Sequence, residues 1–199
     1  AQFPYDGPNT NPGTWRLLPG QIAQLPGWGS VTPFVLKSGS QFRPDAPPPL
    51  DSKQYARDYN EIKEVGMFAS STRTSLQSQI ALFWRASPTT IWNPVMQQSL
   101  AANSFDLSST ARAFALFYLA ATDASIACWD AKYVYNAWRP QSAIRRGDED
   151  GNDSTVSDPT WLPFIATPPH PEYPSGHSTL SSAMASVLES NFGEGLGTP

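Results

Sequence analysis

Residues 108–140, SSTARAFALFYLAATDASIACWDAKYVYNAWRP, decide the fold of this chain. Ser108 and Ser109 are suitable caps for the start of a helix, which we expect to run to about Trp138. Positions spaced alternately by four and three residues follow one face of such a helix. That stripe consists of Phe114, Tyr118, Ala121, Ser125, Cys128, Lys132, Tyr135 and Arg139. Its first five members are apolar or small, so we expect the stripe to face a core.

Lys132 and Arg139 place two positive charges at the end of this stripe, two helical turns apart. Burial of a cation is unfavourable unless an anion meets it, so the pair predicts a site for a negatively charged group. Pro140 disfavours helical geometry at the preceding residue, which puts Arg139 at the helix end. Two alternatives stay open: the cations pair with carboxylates, or their charged ends reach water. The opposite side of the helix is also largely apolar, which weakens the argument from the stripe.

A second candidate feature is the sequence Pro174-Ser175-Gly176-His177, which precedes another helical pattern. The start of a helix presents free N–H groups and the positive end of its dipole. Gly176 lets the backbone approach an anion closely, Ser175 can donate its hydroxyl, and His177 can exchange a proton near neutral pH. With the two cations, these groups predict a pocket for a tetrahedral oxyanion. The alternative is that Ser175 is only a helix cap.

The rest of the chain indicates an all-α protein with an irregular beginning. Half of the 20 prolines fall in residues 1–50, where long helices are therefore not expected. Caps and periodicity predict four further helices. They cover residues 52–65 after Asp51, residues 72–85, a stretch from Ser87 with Pro88 in first position, and about 175–191 before Gly193. Pro94 is expected to break or kink the third of them. We predict two parts, an irregular segment at 1–50 packed on the body and a helical domain at 51–199.

Composition excludes several classes of protein. A net charge of −4 argues against a nucleic-acid surface, which needs clustered excess Lys and Arg. The longest apolar run, 113–121, is far shorter than the roughly 20 residues that span a bilayer, so we predict no membrane span. The single cysteine, Cys128, excludes an internal disulfide and a metal site built from several thiolates. The start at Ala1 fits a chain whose signal peptide has been removed, so we expect a secreted or extracytoplasmic protein.

With these two motifs the chain resembles the vanadium-dependent haloperoxidase and type 2 phosphatidic acid phosphatase superfamily. The family pattern Lys-x6-Arg-Pro corresponds to Lys132, Arg139 and Pro140, and the pattern Pro-Ser-Gly-His corresponds to residues 174–177. A third part, Ser-Arg-x5-His-x3-Asp, has no match in the chain. The resemblance implies a helical bundle of the haloperoxidase type, incomplete at the C-terminus. Trp138 before Arg-Pro, and a histidine seven residues before His177, favour the haloperoxidases.

The resemblance also implies a role for each matched residue. Lys132, Arg139, Ser175 and the Gly176 amide would hold the oxygens of vanadate, in a pocket that phosphate can also occupy. His177 would be the catalytic acid or base, and Lys132 would polarise bound hydrogen peroxide. His170 and Trp138 would lie beside the oxyanion and influence the halide, although His170 between two prolines can also be a surface residue. The products would be hypohalous acid and a halogenated small organic acceptor. No residue of this chain would ligate the metal directly.

The absent third motif leaves three explanations open. The chain is part of a longer protein, or a second chain supplies the arginine and histidine, or the chain is a non-catalytic, oxyanion-binding relative. We favour the first two because the pocket residues that are present are all intact. A phosphatase of the same superfamily is the alternative enzyme, since both activities use one pocket. We also expect a homo-oligomer.

Overall fold

The computed structural model describes Tyr5 and residues 10–193, and within them every regular element is helical. This confirms the predicted all-α fold. The predicted chain start at Ala1 and the last six residues of the predicted domain 51–199 lie outside the described residues. Six α-helices and two short 3-10 helices follow in this order: Trp28–Ser30, α1 Lys53–Val65, α2 Ser75–Phe83, α3 Pro88–Ala102, α4 Leu107–Tyr135, α5 Pro140–Arg145, Gly147–Glu149 and α6 Gly176–Phe192.

Side-chain caps fix where most of these helices begin. Ser52, rather than the predicted Asp51, caps α1 by accepting the N–H of Tyr55. Thr74 and Gln77 form a reciprocal capping box at α2, which shortens that helix relative to the predicted 72–85. Helix α3 starts at Pro88 as predicted.

Two further predictions about helix ends need correction. Pro94 lies inside α3 without ending it. Asp106 caps α4 in place of the predicted Ser108 and Ser109, because its carboxylate accepts the N–H of Ser109. A carboxylate two residues earlier in the chain therefore takes the role expected of the serines.

The chain forms two compact units, each with its own core. The first combines the described residues up to Gly27 with Pro44–Arg85 and Lys132–Pro174. In it α1 packs on α5 around Tyr59, Trp138, Ala143, Ile144 and Trp161. The second combines Trp28–Arg43, Ala86–Ala131 and the described residues from Ser175. In it α3 packs on α6 around Met96, Leu100, Ala113, Phe117, Ala121, Met184 and Leu188. The predicted division after residue 50 stays a prediction.

Helix α4 ends earlier than predicted, and Arg139 does not lie on it. Asn136 adopts a left-handed backbone with φ of 46°, which stops the helix after Tyr135. The chain then runs extended: the N–H of Trp15 donates to Asn136 O and the N–H of Trp138 donates to Gly13 O. Arg139 is the residue before α5, whose first position is Pro140. Pro140 therefore starts a new helix as well as restricting Arg139.

Helix α4 buries charge as well as apolar groups. Asp123 is 4% exposed and accepts the backbone N–H groups of Phe34, Val35 and Leu36. Tyr118 of the predicted stripe is 42% exposed, so the buried face is rotated from that stripe toward Ala113 and Phe117. By length and hydropathy α4 is the one described helix that could cross a membrane, a property it shares with central helices of soluble domains. The absence of a membrane span stays a prediction.

Candidate oxyanion site

Lys132 is one of the most deeply buried charges of the described residues. It lies in the last turn of α4 with 1% of its surface exposed. Its Nζ donates to the carbonyl oxygens of Pro171 and Glu172, at 2.9 Å in each case. Backbone carbonyls satisfy a buried ammonium without neutralising its charge. Lys132 therefore binds the segment 170–172 through its backbone carbonyls.

Arg139 donates to the same segment from each of its three nitrogens. Its Nε donates to the carbonyl of His170 at 2.7 Å, and Nη1 donates to the Glu172 carboxylate at 2.6 Å. Nη2 lies 2.7 Å from Nδ1 of the His170 ring. Nη2 also lies 3.2 Å from Nε2 of the same ring, so the imidazole faces the guanidinium. His170 therefore orients Arg139, so it is more than a surface loop residue.

Glu172 is the site residue that sequence reasoning missed. The two cations were expected to lack compensation, but Arg139 forms an ion pair with Glu172, whose side chain is 44% exposed. The alternative of carboxylate pairing is therefore right for Arg139. Lys132 binds the same segment through backbone carbonyls and not through this carboxylate. The only sequence signal was an acidic residue three positions before Ser175, and nothing in local periodicity connects it to Arg139.

The Ser175-Gly176-His177 turn lies in the second unit, at the start of α6. Ser175 is the cap of that helix and accepts the N–H of Ser178, which leaves its hydroxyl hydrogen for another acceptor. The predicted alternative, that Ser175 caps the helix, is thus confirmed, and it is compatible with anion binding. His177 is exposed, and its Nε2 lies 3.0 Å from the carbonyl of Ala86. Since a carbonyl only accepts, Nε2 carries the proton there and Nδ1 is the basic nitrogen of the neutral ring.

The predicted site residues thus fall into two groups. The first unit brings together Lys132, Arg139 and His170, while the second carries Ser175, Gly176 and His177. Their convergence on one anion stays a prediction. Among the described residues no cluster of three or more His, Cys, Asp and Glu side chains could hold a metal ion. Lys132, Arg139 and the Ser175 hydroxyl are donors of the kind that bind an oxyanion.

Two cavities of the first unit adjoin the cation group. One, of about 360 Å³, has Arg139, Gln141 and Glu172 in its wall. The other, of about 210 Å³, has Trp138 and Glu172 in its wall. Trp138 is buried in the core of the unit, and its predicted influence on the halide stays a prediction. Arg139 therefore borders open space as well as its partners in the segment 170–172.

Comparison with known proteins gives one consistent result. Residues 112–198 match the family described as the VCPO second helical-bundle domain. The vanadium chloroperoxidase of Curvularia inaequalis is 25% identical over 214 residues, which cover 91% of this chain and 34% of that protein. A solved structure described as the first bacterial vanadium-dependent iodoperoxidase is 33% identical with a TM-score of 0.73, covering 92% of this chain and 45% of the other. The chain therefore spans less than half the length of either relative.

Proposed function

Because the chain belongs to the vanadium haloperoxidase superfamily, we propose that it forms part of a vanadate-dependent haloperoxidase, which oxidises halide with hydrogen peroxide to hypohalous acid. The observation that carries the proposal is the buried pair of cations on one short segment: Lys132 and Arg139 both donate to residues 170–172. A fold rarely buries two cations side by side unless an anion stabilises them.

The donors of this chain fit vanadate as an anion. A guanidinium carries five N–H groups, one more than the four contacts that Arg139 makes with the described residues. Lys132 and Arg139 bring two cations to one segment, where Glu172 pairs with Arg139. At the start of α6, the Ser175 hydroxyl and the first backbone N–H groups add donors and the positive end of a helix dipole.

The two groups are close in sequence: Glu172, which accepts from Lys132 and Arg139, is three residues before Ser175. That both groups bind one anion is part of this proposal.

Each residue then has a defined task. Lys132 and Arg139 bind and orient anion oxygens, and His170 and Glu172 hold the plane of the Arg139 guanidinium. Ser175 and the Gly176 N–H complete the set of donors. His177 holds or transfers a proton at Nδ1, the nitrogen that does not face Ala86. Vanadate itself supplies Lewis acidity without a change of oxidation state. The arginine and histidine of the third family motif come, in this proposal, from polypeptide outside these 199 residues.

Bromination of monochlorodimedone by the full-length protein, with vanadate, bromide and hydrogen peroxide, tests the proposal. We expect turnover that requires vanadate and that falls to background in His177→Ala. Turnover equal in the wild type and in His177→Ala contradicts the assignment. Hydrolysis of p-nitrophenyl phosphate without vanadate, inhibited by added vanadate, identifies a phosphatase of the same superfamily instead.

A further inference from the structure

The larger cavity of the first unit combines an apolar wall with guanidinium and amide groups. Its volume is about 360 Å³, and the apolar residues of its wall include Ile62, Val65, Ala81, Phe164 and Ile165. A protein cavity of about 150 Å³ is large enough for benzene, so this one fits an organic body of about one ring with a polar substituent. An inorganic anion alone would leave the apolar wall unused.

Arg73 brings a positive charge to this wall. Its Nε donates to the Ser78 hydroxyl at 3.1 Å. Nη1 donates to the carbonyls of Val65 and Met67, and Nη2 donates to that of Phe68. These bonds use four of the five N–H groups of the guanidinium and leave one on Nη2. Within the part of the chain that the structure describes, Arg73 forms no ion pair, so a ligand finds a fixed cation there.

Two glutamines of the wall offer their amino groups. The side-chain oxygen of Gln77 accepts both the N–H and the hydroxyl of Thr74. The side-chain oxygen of Gln141 accepts the hydroxyl of Thr167. Neither amino group has a partner among the described residues, so each is a donor left for a ligand. Gln77 is exposed, and Gln141 Nε2 is not among the fully buried atoms that lack a partner, so a ligand can reach both.

Arg73 is the one cation of the wall without a carboxylate partner among the described residues. The other charged side chains of the wall are Arg139 and Glu172, which form an ion pair at 2.6 Å. Electrostatic repulsion from Glu172 disfavours a carboxylate placed beside it. The anionic group of a ligand is therefore expected at Arg73.

We propose that this cavity is a binding site for a small organic carboxylate with an apolar body. The carboxylate accepts N–H groups from Arg73 Nη2 and from the amino group of Gln77. Ser78, which accepts from Arg73 Nε, follows Gln77 directly, so both donors belong to one short stretch of the chain. The body packs on the apolar wall, and the Gln141 amino group binds a second acceptor where the ligand has one. Binding needs no vanadate, halide or peroxide, so the site does not depend on the proposed function.

Titration calorimetry of the full-length protein with benzoate at neutral pH, without vanadate, halide or peroxide, tests the proposal. Benzoate is expected to bind with a Kd of about 0.1–1 mM. Benzamide has nearly the same shape without the charge, and acetate has the charge without the ring. Each is expected to bind at least about tenfold more weakly than benzoate, because the first loses the ionic hydrogen bonds and the second loses the apolar contacts.

Gln77→Glu tests the position of the carboxylate without disturbing the start of α2. The new side chain keeps an oxygen for the N–H of Thr74 in the capping box, so the variant is expected to fold normally. It replaces the donating amino group by a negatively charged oxygen, and benzoate should bind at least about tenfold more weakly. Gln79→Glu is the matched control: it adds the same charge to the same helix outside the cavity wall, and it should bind benzoate like the wild type.

The proposal is overturned if benzoate does not bind, if benzamide or acetate binds as well as benzoate, or if Gln77→Glu and Gln79→Glu have equal effects. Benzoate that vanadate displaces, with unchanged affinity in Gln77→Glu, would bind at the candidate oxyanion site and would also overturn it. Benzoate binding that Gln77→Glu weakens, in a protein without peroxidase turnover, rejects the proposed function and leaves this site intact.

Discussion

Two buried charges on α4, Asp123 and Lys132, lie nine residues apart and face different surroundings. Both are almost fully buried, with 4% and 1% of their surfaces exposed, and both bond to backbone groups of irregular segments. Asp123 accepts three N–H groups from residues 34–36, and among the described residues no ion pair is found for it. Lys132 shares the segment 170–172 with Arg139.

The difference separates a structural charge from a candidate binding site. Burial alone would raise the pKa of Asp123, but the N–H groups of Leu36, Phe34 and Val35 outweigh it and hold that pKa below its usual value. Asp123 is therefore a satisfied anion that fixes the segment 34–36. At Lys132 a second cation, Arg139, binds the same segment, and the partly exposed Glu172 carboxylate pairs with Arg139. An accumulation of like charge, rather than burial, marks the site.

Replacement of Lys132 by methionine is expected to have the largest effect on stability. Lys132→Met leaves the buried carbonyls of Pro171 and Glu172 without their donor. We expect a loss of about 2–4 kcal/mol in the free energy of unfolding. Urea denaturation of the full-length protein measures it. Lys37→Met, at an exposed lysine, is the control and should change stability by less than about 0.5 kcal/mol. Equal effects of the two substitutions would show that Lys132 is not buried as described.

Replacement of Asp123 by asparagine is expected to cost somewhat less, about 1–3 kcal/mol at neutral pH, because an amide can accept at only one of its two atoms. The folded-state pKa of Asp123 is lowered, so its contribution is complete above the unfolded-state value of about 3.9. The contribution is lost as the pH falls through the folded-state pKa. Urea denaturation at about pH 7 and about pH 3 should show the gap between wild type and Asp123→Asn closing in acid.

The vanadate affinity of Asp123→Asn tests whether this carboxylate is structural. If the carboxylate is structural, Asp123→Asn should bind vanadate like the wild type once the folded fraction is accounted for. A loss of vanadate affinity at constant folded fraction would place Asp123 in the binding machinery.

Replacement of Glu172 by glutamine is expected to change binding more than stability. The carboxylate is 44% exposed, so its ion pair contributes only about 0–1 kcal/mol to stability. Glu172→Gln removes the one negative charge that offsets Arg139, and vanadate should bind about fivefold more tightly, with a larger gain at low salt. Glu149→Gln breaks the comparable pair with Arg146 and should leave vanadate affinity unchanged. Weaker vanadate binding in Glu172→Gln would show that holding Arg139 in place outweighs the charge.

Replacement of His177 by glutamine is expected to change stability least. The side chain is exposed and its contact is a single bond to the Ala86 carbonyl, so His177→Gln should alter the free energy of unfolding by less than about 0.5 kcal/mol. Urea denaturation checks this value. A loss above about 1 kcal/mol would assign His177 a structural role like that of Asp123.

Local signals in the sequence were sufficient for several elements. Ser87 and Pro88 mark the start of α3, and Ser175 and Gly193 bracket α6, because caps and stops act through adjacent residues. The two motifs identified the superfamily. Lys132 was correctly expected on the inner side of its helix, since periodicity reports which face is buried.

Long-range contacts account for what the sequence did not predict. Helix α4 stops at Tyr135 because residues 13–15 pair with the chain that follows, more than 100 positions away along the sequence. Glu172 meets Arg139 across 33 positions. Asp123 binds the backbone N–H groups of residues 34–36, almost 90 positions earlier in the chain. Such long-range partners cannot be predicted from amino-acid composition or from the periodicity of hydrophobic residues.

A crystal structure of the full-length protein soaked in vanadate tests the shared anion most directly. The account predicts a single vanadate whose oxygens lie within about 3.2 Å of Lys132 Nζ, of an Arg139 nitrogen and of the Ser175 hydroxyl. Vanadate bound to only one of the two groups, or a Lys132 and Arg139 pair that stays closed on residues 170–172 while vanadate binds elsewhere, would contradict it.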